Sequence, residues 1–122
     1  MEEVGIWIKI AKDDLDSAES NIKSGKHYVS AFLSQQAVEK ALKALLLKNQ
    51  KIIIRIHDLV ILGRKVNLPK DLLNKCEELS RVYIETRYGA ANGIPSQKFK
   101  KEDSLKYFSI AKEVLSWVEK NI

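Results

Sequence analysis

The chain has 122 residues, 45% hydrophobic and 30% charged, with a formal net charge of +5. This fits one domain over residues 1–122 with a real core, and two prolines and five glycines leave no room for a long linker. No apolar run approaches the ~20 residues that span a bilayer, the N-terminus "MEEVGIW" is acidic and unlike a signal peptide, and one cysteine excludes an intrachain disulfide and points to a reducing cytoplasm.

The first predicted helix covers about residues 2–23, where Val4, Trp7, Ile8, Ala11, Leu15, Ala18 and Ile22 recur at spacings of three and four. Its carboxylates Asp13, Asp14 and Asp16 diverge on a helix and read as a solvated face. "KSGKH" then makes a turn, with Gly25 able to take the positive φ of a helix stop. The second helix, about 27–50, is apolar over much of its circumference. One face carries Tyr28, Ala31, Phe32, Val38, Leu42, Leu45 and Leu46, and another carries Leu33, Ala37, Ala41, Ala44 and Leu47. Such a helix is central, and its small residues invite close approach by another helix, a second copy of the chain included. Gln35 and Glu39 intrude on the main apolar face and need partners if buried.

Ile52-Ile53-Ile54 is β-prone but has no second strand to pair with, so residues 51–57 are expected as an extended or helical connector. Asp58 is placed as the N-cap of a short third helix with Leu59, Leu62 and Val66 as its stripe. Pro69 suits the first turn of a fourth helix that runs to about Arg87 through Leu72, Leu73, Cys76, Leu79 and Tyr83. Cys76 on that face reads as a small core residue. After a loop of glycine, asparagine and proline, a last helix covers about 101–121 with Leu105, Phe108, Ala111, Leu115 and Val118 on one face. The fold class expected is all-α, an antiparallel bundle of four to five helices with no sheet.

The chemistry is defined as much by what is missing. His27, His57 and Cys76 offer no zinc spacing, and neither a phosphate loop, a dinucleotide fingerprint nor a nucleophile elbow is present, so no metal and no cofactor is expected. Charge, however, is unevenly placed. Residues 40–70 hold eight bases against the single acid Asp58. Of these, Lys40, Lys43, Lys48 and Lys51 project into one broad sector of the second helix, which suits contact with a polyanion's phosphates and equally suits a solvated surface. His57 can be a polar neighbour of an N-cap or a titratable group for acid–base work.

Taken together, "SAFLSQQAVEKALKALLLKN" (30–49), "HDL" (57–59), a helix ending "RY" (87–88) and the final "EDSLKYFSIAKEVLSWVEKNI" resemble the HEPN domain, the small all-α domain named for higher eukaryotes and prokaryotes nucleotide-binding. The resemblance runs from Trp7 to Val118. It implies a four- or five-helix bundle that pairs as a homodimer and often sits beside a minimal nucleotidyltransferase in a toxin–antitoxin pair. Active members of the family are metal-independent ribonucleases whose motif is an arginine, four to six residues, then a histidine. Laid on this chain, the motif begins at Arg87 and reaches Asn92 where the histidine belongs. Ile94 stands where some family toxins carry a tyrosine that the partner enzyme modifies. Asparagine can hydrogen-bond a phosphate or a base edge but cannot shuttle a proton, and loss of general acid–base catalysis costs roughly 10²–10⁴-fold.

Two functional expectations follow. One is a non-catalytic module that holds a nucleotide, RNA or a nucleotidyltransferase partner, with Arg87 on phosphate, Tyr88 on a base or ribose and Asn92 lining the cleft. The other is a ribonuclease toxin in which a displaced His57 works with Arg87.

Overall fold

Residues 2–87 and 93–122 are described by a computed structural model of the chain, so Tyr88 and Asn92 lie outside the described residues. The order of elements is α1 (Glu2–Lys23), α2 (His27–Gln50), α3 (Leu59–Lys65), α4 (Lys70–Arg87), α5 (Pro95–Lys98) and α6 (Lys101–Asn121), with no strand among the described residues. This is the expected all-α bundle with one extra turn of helix at 95–98. Residues 51–58 form an irregular connector.

Helix α2 is the spine, packed against α1, α3, α4, α5 and α6. Leu42, Leu45 and Leu46 are almost wholly shielded from water. Burial of each stabilises the fold by roughly 1.5–3 kcal/mol before entropy is counted. The small residues have found their neighbour within the chain. Ala37, Ala41 and Ala44 are fully buried, as are Ala11 and Ala18 of α1, and Ala44 packs with Val4 and Leu47. Close approach at this stripe is therefore an α1–α2 contact, which removes it as a surface for a second copy.

The ends of the helices follow their local chemistry. Gly25 takes φ 77° between α1 and α2. The Asp58 carboxylate accepts from the backbone N–H groups of Val60 at 2.9 Å and Ile61 at 3.2 Å, capping α3 as expected. Pro69 sits one position earlier than the sequence suggested, just before α4, where its carbonyl accepts from the Leu73 N–H at 2.8 Å. Gly63 lets α3 lie on α4's base, since a Cβ there would come within 2.8 Å of Leu73 Cδ1. The inner face of α6 is also rotated from the expected stripe. Ser104, Ile110, Ala111, Val114, Leu115 and Val118 are buried, whereas Leu105 is 47% exposed.

Candidate functional site: a histidine held by a buried glutamate beside Arg87

On α2 the residues Phe32, Gln35, Gln36, Glu39 and Lys43 recur at spacings of three and four, so they share one face. Ser80, Tyr83, Ile84 and Arg87 do the same on α4. The two faces meet, and the connector before α3 drops His57 between them.

Glu39 is the hub. It is only 5% exposed, yet it is a carboxylate, so its oxygens must be satisfied. Gln35 Nε2 donates to Oε1 at 3.1 Å, and Lys43 Nζ donates to Oε2 at 3.0 Å. His57 Nδ1 lies 3.1 and 3.0 Å from the two oxygens. An ionised carboxylate offers only lone pairs, so His57 must carry its proton on Nδ1. Gln36 Nε2 donates to Gln35 Oε1 at 2.7 Å and extends the network outward. A buried charge with one cation, one amide and one imidazole around it is a fully connected polar network in an otherwise apolar layer.

The imidazole of His57 stacks on Tyr83 with ring centroids 4.3 Å apart and planes 15° apart. Tyr83 in turn stacks with Phe32 at 6.5 Å. The Arg87 guanidinium lies over both rings, 5.2 Å from the Tyr83 centroid and 6.0 Å from that of Phe32. Cation–π contact of this kind holds a guanidinium in place while its exposed edge stays able to donate. Two shallow cavities flank the ridge. One, about 230 Å³, is lined by Tyr28, Val29, Phe32, Thr86 and Arg87. The other, about 220 Å³, is lined by His57, Asp58, Ser80, Tyr83 and Ile84.

Of the residues singled out in the sequence, Arg87 and His57 are therefore brought around one phenol ring. Tyr88 and Asn92 lie outside the described residues. The four lysines do not form a uniform row. Lys40 is paired with Asp14 at 2.6 Å and Lys43 with Glu39, while Lys48 and Lys51 are exposed. Ile94 is exposed at the start of α5. His27 is structural: Ser104 Oγ donates to the Lys101 carbonyl at 2.7 Å, so it accepts from His27 Nδ1 at 3.0 Å and ties α2 to α6. Among the described residues no group of three or more His, Cys, Asp or Glu side chains could hold a metal ion, and no helix is long and apolar enough to cross a membrane.

Sequence reasoning missed the place of two residues in the site and the full role of a third. Phe32 and Tyr83 fall on apolar stripes and read as core, but both are half-buried and form the ridge. Glu39 was marked as needing a partner, and the clue to its role was the i, i+4 series Gln35, Glu39, Lys43 crossing an apolar face.

The all-helical bundle, with α2 as its spine, defines the fold class, and the comparisons with known proteins place it. The family model for the HEPN domain matches residues 4–121, nearly the whole chain. The structure of TT1696 from Thermus thermophilus superposes with a TM-score of 0.92 at 26% identity, covering 100% of both chains. ST0689, an archaeal HEPN homologue, superposes with a TM-score of 0.83 at 33% identity over 97% of this chain and 96% of that one. No curated protein matches the sequence at a significant level. This chain belongs to the HEPN domain family.

Proposed function

We propose that this chain is a non-catalytic HEPN module of the cytoplasm that binds a phosphate-bearing ligand, a nucleotide or RNA, and works in pairs with a minimal nucleotidyltransferase in a toxin–antitoxin-like arrangement. The observation that carries the binding assignment is the Arg87 guanidinium, held on the faces of Tyr83 and Phe32 at an exposed helix end. A cation fixed by ring faces, with flat aromatic surface beside it, suits a phosphate and the sugar or base attached to it. Tyr88 and Asn92, which follow Arg87 in the chain, are proposed to complete the contact, with Lys48 and Lys51 as outlying phosphate contacts. Lys40 and Lys43 would join them only by leaving their carboxylates.

A second reading has one specific observation in its favour. His57 and Arg87 share the Tyr83 ring, and Glu39 orients the imidazole, which is the arrangement a displaced general base would need in a metal-independent ribonuclease. Incubation of the purified protein with mixed RNA, with and without EDTA, separates the two. The binding module leaves the RNA intact. Cleavage that persists in EDTA and is lost in Arg87→Ala and His57→Ala would establish the ribonuclease instead.

A further inference from the structure

We propose that the basic end of the bundle, where Ile52, Ile53 and Ile61 are exposed among unpaired cations, docks on the surface of an anionic lipid bilayer without crossing it; the inference goes beyond the Arg87 assignment and uses the other end of the molecule. Residues 48–70 include Lys48, Lys51, Arg55, Arg64, Lys65 and Lys70, all exposed. Among the described residues none of the six makes an ion pair. The single acid of the stretch, Asp58, has its carboxylate occupied by the α3 cap. The fold gathers these cations. Lys51 takes φ 56° and turns the chain out of α2. Gln50 Nε2 donates to the Lys65 carbonyl at 2.8 Å, which ties the end of α2 to the end of α3, and Lys70 then opens α4. Arg87 closes α4, so this patch and the Arg87 ridge lie at opposite ends of that helix. Glu2 and Glu3 reach the basic end as well, because Val4 packs with Ala44 and Leu47, and Asp71 stands there too. The six cations outnumber these three acids.

Charge alone would suit any polyanion, and the isoleucines decide which. Ile53 is 58% exposed, and Ile52 and Ile61 are exposed beside it in the same stretch. Ile54 packs on the core, which fastens the connector while its two neighbours stay in solvent. On α3, Arg64 and Lys65 follow Ile61 at spacings of three and four, so apolar and basic groups share one face. A nucleic acid would be met by aromatic rings on which its bases stack, and no Phe, Tyr or Trp occurs from 48 to 70. Aliphatic side chains have no complement in a phosphodiester backbone. At a bilayer surface they do: isoleucine enters the acyl boundary while lysine and arginine stay at the level of the lipid phosphates. Each cation close to an anionic leaflet tightens binding roughly fivefold.

The test is co-sedimentation of the purified protein with vesicles of equal parts phosphatidylcholine and phosphatidylglycerol, against vesicles of phosphatidylcholine alone. The protein should pellet with the first and stay in solution with the second, and added salt should weaken the binding. Ile52→Ser together with Ile53→Ser, both at exposed positions, should lower vesicle affinity roughly tenfold. Arg64→Gln together with Lys65→Gln should lower it roughly fivefold for each cation removed. No pelleting with the anionic vesicles, or equal pelleting with both compositions, would overturn the inference. So would vesicle binding indifferent to the isoleucine substitutions, which would leave a purely electrostatic patch. Binding of labelled single-stranded RNA that falls in the isoleucine variant, with no vesicle binding, would assign the patch to RNA instead. Should one variant unfold, judged by its circular dichroism, the contrast between vesicles in the wild type and the other variant still decide. None of these failures touches the Arg87 assignment, which is read by its own titration of RNA against salt.

Discussion

Glu39 has the greatest influence of any single residue on the site. Breaking a buried ion pair by removing one partner typically costs about 3–5 kcal/mol, because the other charge is left in low dielectric without compensation. The pair with Lys43, the amide of Gln35 and the imidazole of His57 are thus mutually dependent. That Gln35 and Glu39 would need partners was legible from their place on an apolar face. That His57 would be the partner was not, because it lies on a connector with no hydrophobic period to fix its direction. Cys76 makes the opposite case, a residue whose sequence reading carries a quantitative consequence. Burial pushes its thiol up from the ordinary 9.0 to about 12, so the neutral form is favoured in the folded state. Above pH 9.0 an unfolded chain releases this proton while the folded one keeps it. The stabilisation is complete below that pH and is lost as pH rises toward 12. The denaturation midpoint should fall between pH 8 and pH 10, and fall less in Cys76→Ala; equal falls in the two proteins would contradict the assignment.

Among the elements, α2 was the most legible, since its apolar residues run nearly all the way round and only a central helix can bury them. α6 was the least, although its ends were expected where they fall. Leu105 and Phe108 fit a helical stripe as well as Ser104 does, and only contact with α2, α1 and α4 decides which way the helix turns. Burial of the α2 alanines against α1 also moves the question of pairing to another face. Ile84 of α4 is 56% exposed and shares a cavity with Val60 of α3, Asp58 and Ser80, immediately beside His57. The homodimer that the resemblance implies would then have to use another face, such as this one. Light scattering at micromolar concentration should give the mass of a dimer, and Ile84→Glu should give a folded monomer. A wild-type monomer, or a dimer indifferent to Ile84→Glu, would count against pairing there.

For the whole molecule, the order of the helices other than α5, the Asp58 cap and the absence of sheet among the described residues could all be read from periodicity and capping chemistry, because each is set by local sequence. The candidate site could be read only in part. Arg87 carried a recognisable pattern, but the ridge that holds it is built from Phe32 and Tyr83, fifty-one positions apart in sequence and indistinguishable there from core aromatics. Phosphate binding by Arg87 is tested most directly by titration of a labelled single-stranded RNA across a salt series. Each phosphate contact on a single strand adds roughly 0.7 to the slope of log affinity against log salt. Wild-type binding should weaken steeply with salt, and Arg87→Ala should bind more weakly with a slope shallower by about one contact. Binding absent in the wild type, or equal in strength and slope in Arg87→Ala, would contradict it.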